Sequence, residues 1–79
     1  MNAQNIEQLI ASGLVCEHLE VTGDGRHWNA VIVSAAFAGK RLIQRHQMVY
    51  ATLGGRMATD EIHALSMKTL TPEEAQTSL

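Results

Sequence analysis

The chain has 79 residues, a formal net charge of −2, 46% hydrophobic residues and three aromatics, which suits one small domain over residues 1–79 with a mainly aliphatic core and excludes wholesale disorder. The negative balance argues against general affinity for nucleic acid, which needs a basic surface to release phosphate counterions. A single cysteine, Cys16, excludes an internal disulfide; with no visible signal peptide and no apolar run of roughly 20 residues, the expected location is cytoplasmic with no membrane contact.

Asn5 to Ala11 reads as a helix, with Asn5 and Gln8 at capping-box spacing and Ile6, Leu9 and Ile10 as its apolar stripe. Gly13 is the expected stop. Cys16 to Thr22 alternates as a strand, Leu19 and Val21 facing one way and His18 and Glu20 the other. Gly23-Asp24-Gly25 signals a hairpin turn. His27 to Ser34 is the returning strand. Its run Ala30 to Val33 is apolar on both faces, as in a central strand. Phe37-Ala38-Gly39 leads as a loop into helical periodicity from Lys40 to Met57, weakened at Gly54-Gly55 by up to about 1 kcal/mol per glycine. Two consecutive helices are expected there. Ala58 to Glu61 is a polar turn, and Ile62 to Leu70 a third strand. Thr71-Pro72-Glu73-Glu74 carries a helix start, with Thr as N-cap and Pro at N1. The order is αββααβα, an α+β fold: a three-stranded mixed sheet with helices on one face, its second and third strands joined through helices and so able to run parallel.

Four histidines stand out: His18, His27, His46 and His63. Imidazole ligates iron, zinc and copper and titrates near neutrality. None has zinc-motif spacing, so a site complete within this chain is not expected. His18 should be solvated, and His46 should pack with its ring bonded to a backbone carbonyl. Cys16 reads as a small core residue. The pairs Asp60-Glu61 and Glu73-Glu74 read as turn and helix-dipole residues. With no nucleophile–base pair in view, the chain is not expected to be an enzyme. Lys40, Arg41 and Arg45 form the one basic cluster and suit a phosphate, an acidic partner or the carboxylates of glutathione, or else a solvated helix face.

Five segments carry a resemblance. They are Val21 to Trp28 with its Gly-Asp-Gly turn, Phe37-x-Gly39-Lys40, Arg45-His46-x-x-Val49-Tyr50, Ile62-His63-Ala64-Leu65-Ser66, and Thr71-Pro72. Together they resemble the BolA-like family, and within it the acid-stress subgroup. The resemblance implies a fold similar to a type II KH domain, with the helix break near His46 or Gln47. It implies that His63 is a ligand to a [2Fe-2S] cluster shared with a monothiol glutaredoxin and glutathione. His27, at the end of the short hairpin loop, is the implied second ligand from this chain, with Asp24 as the alternative. The cluster then belongs to the complex, and no cofactor is expected in the isolated chain, which should be a monomer with at most weak self-association. The chain departs from the family in carrying Ala75-Gln76 where an aromatic often follows Thr-Pro-x-Glu.

The first function expected from this set is an adaptor that binds a monothiol glutaredoxin and co-ligates the bridging cluster, in iron–sulfur trafficking or iron and stress homeostasis. The alternative is a stress-responsive DNA-binding regulator using the KH-like fold through Lys40, Arg41 and Arg45. The missing Gly-x-x-Gly loop speaks against the usual KH clamp on RNA. A metal-free docking module is the third reading.

Overall fold

The computed structural model describes residues 2–54 and 64–77. Helix α1 spans Ala3–Gly13. Its cap is Asn2, three residues earlier than the sequence suggests. The Asn2 side chain accepts from the Asn5 N–H at 2.9 Å, and the Asn5 side chain accepts from the Asn2 N–H at 3.0 Å. Asn2 stands to Asn5 at the same spacing as Asn5 to Gln8, and the Asn5 side chain is spent on the Asn2 N–H; Ile6 and Ile10 of the expected stripe are fully buried. Gly13 is the last helical residue, and Leu14 follows it as C-cap.

Strand β1 (His18–Gly23) pairs antiparallel with β2 (His27–Val33), and β2 pairs parallel with β3 (Ala64–Leu70). The order β1-β2-β3 makes β2 central, as its doubly apolar run requires. On the inner face Val21, Trp28, Ala30 and Ile32 are buried against Ile6, Ile10, Phe37, Val49 and Leu53. The outer face carries the cross-strand rows His18–Val33–Leu70, Glu20–Val31–Lys68, Thr22–Asn29–Ser66 and His27–Ala64.

After β2 the chain makes a 3-10 turn at Ala35–Phe37, capped by the fully buried Ser34. The Ser34 hydroxyl donates to the Val15 carbonyl at 2.6 Å and accepts from the Ala36 N–H, fastening this connection to the loop after α1. Helix α2 spans Leu42–Thr52 without interruption. The break expected at His46 or Gln47 is absent. Among the described residues of that stretch α2 is the one helix, not the expected pair; the 3-10 turn at Ala35–Phe37 precedes it. No proline or glycine interrupts Leu42–Thr52, so no local cause for a break exists there. The helix also ends before Met57. Leu53 is its C-cap, and Gly54 follows at φ 63°, a left-handed value that glycine adopts without penalty. Gly54 is thus a stop signal and not a weak point inside a longer helix. The expected polar turn at residues 58–61 lies outside the described residues.

Helix α3 (Pro72–Thr77) begins with the expected box. The Glu74 N–H donates to the Thr71 hydroxyl at 3.2 Å, and the Thr71 N–H donates to the Glu74 carboxylate at 2.8 Å. One side of α3 faces the outer sheet surface, where Pro72, Ala75 and Gln76 line a cavity of about 440 Å³ with Val31, Val33 and Leu70.

Candidate functional site

The hairpin holds His27 by its backbone. Asp24 Oδ1 accepts from the N–H groups of Arg26 and His27, both at 2.9 Å. The Asp24 N–H in turn donates to the His27 carbonyl at 3.3 Å. These N–H donors, that of His27 foremost, hold the Asp24 carboxyl below its usual value, and the nearby His27 charge acts in the same direction. Asp24 is therefore occupied as a turn brace. Gly23 must be glycine for a steric reason: a methyl there would lie 2.4 Å from both the His27 carbonyl oxygen and Trp28 Cε3.

The next residue, Trp28, is buried in the core, so alternation turns the His27 side chain to the outer face, where it is exposed. His27 is registered with Ala64 at the start of β3. His63 is the residue before Ala64 in the sequence and lies outside the described residues. So do Asp60 and Glu61. An exposed imidazole on a braced strand end can offer one ring nitrogen to a metal whose remaining ligands come from elsewhere. Among the described residues, no three His, Cys, Asp or Glu side chains come together to hold a metal ion.

The other histidines and Cys16 lie apart from this end. His18 is exposed, as expected, at the far row of the sheet. His46 Nε2 is buried without a hydrogen-bond partner, so the carbonyl bond expected for its ring is not made by that nitrogen. Cys16 packs partly buried against the core, its thiol donates to the Leu14 carbonyl at 3.4 Å, and burial pushes its pKa up. It is the small core residue the sequence suggests.

The basic cluster divides. Lys40 and Arg41 are exposed. Arg45 is turned inward: its Nε donates to the Lys40 carbonyl at 3.0 Å, and Nη1 donates to the Thr69 carbonyl at 3.0 Å and to Glu74 Oε1 at 2.7 Å. Its guanidinium carbon also stands 5.9 Å from the Phe37 ring centroid. Arg45 is thus engaged in tying α2 to β3 and α3, and the surface cations of this cluster are Lys40 and Arg41. Bonding from Arg45 is the main cause that holds the Glu74 carboxyl below its ordinary value. Sequence reasoning missed this pair because 29 residues separate its members and no local spacing signals it.

The sequence matches the family described as BolA-like protein over residues 3–74. The acid stress protein IbaG of Escherichia coli is 32% identical over 74 residues, covering 94% of this chain and 88% of that protein. A BolA protein homologue from Coxiella burnetii superimposes with a TM-score of 0.83 at 40% identity, covering 96% of this chain and 97% of the other. The DNA-binding transcriptional regulator BolA of Escherichia coli is 39% identical over 57 residues, 72% of this chain and 53% of that protein.

Proposed function

The chain belongs to the BolA-like family, and from that premise we propose that it is an adaptor which docks a monothiol glutaredoxin and contributes histidine ligands to a [2Fe-2S] cluster bridging the two proteins. The observation that carries this reading is the exposed His27, braced by Asp24 and registered with the sequence neighbour of His63. Histidine ligands suit one side of such a cluster, because neutral imidazole ligates iron and needs no buried shell of its own when a partner closes the site. The glutaredoxin cysteine and glutathione would supply thiolates on the other side. In this reading the chain's own work is to hold His27 on a braced strand end with its ring open to the partner. The cellular role that follows is iron–sulfur trafficking or iron and stress homeostasis.

The test is anaerobic reconstitution of a monothiol glutaredoxin with iron, sulfide and glutathione, with and without this protein. Absorption and visible circular dichroism should change when the protein is added. That change should vanish with His63→Ala and be weakened or altered with His27→Ala. A spectrum identical to that of the glutaredoxin alone would overturn the reading.

A second reading, a stress-responsive DNA-binding regulator, draws on the similarity to the DNA-binding transcriptional regulator BolA and on the exposed Lys40 and Arg41. The inward commitment of Arg45 and the net charge of −2 weaken it. A gel shift at physiological salt, repeated with Lys40→Glu and Arg41→Glu, separates specific binding from weak attraction.

A further inference from the structure

The first turn of α2 is built in a way the fold itself does not require. Lys40 and Arg41 stand where the helix dipole is positive, and no acidic residue occupies the first turn to offset them. Neither cation forms an ion pair among the described residues; the Arg41 contribution to the cap is its backbone N–H, which donates to Gln44 Oε1 at 2.8 Å. The next two residues, Leu42 and Ile43, are each 63% exposed. Ile43, Gln47 and Tyr50 then repeat at i, i+4 and i+7 along the solvent side of the helix, and Tyr50 is also exposed. Beside this stripe Lys40, Gln44, Gln47, Met48 and Ala51 line a shallow depression of about 480 Å³. Two free cations, a helix N-terminus and large aliphatic side chains thus share one surface on a chain whose net charge is −2.

We infer that the outward face of α2, from Lys40 to Tyr50, is a docking surface for a second protein that presents acidic side chains next to an apolar anchor. Charge complementarity selects the acidic partner, because Lys40, Arg41 and the helix dipole add with the same sign. Ile43 and the depression beside it select a partner with a side chain to bury there. This surface is distinct from the His27 end. Arg45 fixes the start of α2 to the Thr69 carbonyl, and Thr69 lies five residues beyond Ala64 on β3, roughly 16 Å along the strand. The Lys40–Ile43 end of the surface therefore lies away from His27. The inference does not depend on cluster binding.

The test uses two synthetic helical peptides of the same length, one of alternating Leu and Glu stretches and one with Lys in place of Glu, titrated into isotopically labelled protein. The acidic peptide should shift the amide signals of residues 40–51 saturably and leave those of residues 24–28 unmoved. Lys40→Glu with Arg41→Glu should weaken binding at least tenfold, and so should Ile43→Ser. Lys68→Glu, on the outer sheet face, should change it less than twofold. Equal binding of the basic peptide, or shifts that ignore Ile43→Ser, would overturn the inference. So would saturable shifts at residues 40–51 with an oligonucleotide duplex or anionic phospholipid vesicles when the acidic peptide produces none. The Lys40→Glu, Arg41→Glu variant should retain the wild-type spectrum in the glutaredoxin reconstitution. A failed reconstitution with a positive peptide titration therefore rejects the adaptor chemistry alone.

Discussion

Arg45 and His27 sit toward opposite ends of the sheet and are held in opposite ways. Arg45 uses its side chain to bind two carbonyls and Glu74 and to lie over Phe37. His27 uses its backbone, bonded to Asp24 and paired with Ala64, and its ring is left exposed. A charged side chain consumed by the fold has little left to offer a ligand, whereas a ring presented by a rigid backbone has all of it to offer. A count of cations and imidazoles in the sequence treats the two residues alike; their hydrogen bonds separate them.

The sharpest way to break this contrast is to remove the side chain at each end. Arg45→Ala deletes two bonds to backbone carbonyls and the packing over Phe37, and it leaves the Thr69 carbonyl without that donor. We expect a loss of about 2–3 kcal/mol in urea unfolding. Arg45→Lys should recover only part of it, because an ammonium cannot span the carbonyls and Glu74 as a planar fork does. A loss below about 0.5 kcal/mol for Arg45→Ala would return Arg45 to the surface cluster. At the other end, the steric requirement lies in the backbone. Gly23→Ala drives a methyl into the His27 carbonyl and the buried Trp28 ring, and it should cost about 1–3 kcal/mol. It should also shift the His27 amide signal in the nuclear magnetic resonance spectrum of labelled protein.

The two ends were also unequally legible in the sequence. The hairpin, the central position of β2 and the cap of α3 are local signals: Gly-Asp-Gly, a doubly apolar run, and Thr-Pro with Glu at N3. Each appears where its residues predict it. The start of α1 is ambiguous in sequence because overlapping Asn-x-x-Asn and Asn-x-x-Gln spacings compete, and the reciprocal Asn2–Asn5 bonds select the earlier one. Gly54 looked like a flaw in a long helix because a stop and a weak point share the same residue type; its positive φ distinguishes them. The Arg45 junction was illegible because all of its partners but Lys40 are remote in sequence or need the fold to bring them near. His27 was legible as a candidate, yet its bracing by Asp24 and its register with Ala64 are facts of the hairpin and the parallel ladder.

Acid should separate the ends further. Asp24 and Glu74 both titrate lower in the folded chain than their ordinary values of 3.8 and 4.5. Their stabilisation is therefore complete above those ordinary values and is lost as pH falls through the lower, folded ones. The urea midpoint should drop as pH falls below the ordinary carboxylate range. In Arg45→Ala the Glu74 part of that drop should shrink, since its largest cause is gone. Asp24→Asn keeps an acceptor for both N–H groups and should flatten the remainder. A drop unchanged in both variants would assign acid sensitivity to other carboxylates.

The smallest expected effect on stability decides most about function. His27→Ala removes an exposed ring and leaves the backbone bonds of the hairpin in place, so stability should change by less than about 0.5 kcal/mol. Amide exchange at Arg26 and His27 should stay protected, because Asp24 still accepts both bonds. Against that silent background any altered cluster spectrum reports the ring alone. Should the variant instead lose stability on the scale of Arg45→Ala, His27 would be a structural residue, and the contrast between a consumed side chain and a presented one would collapse.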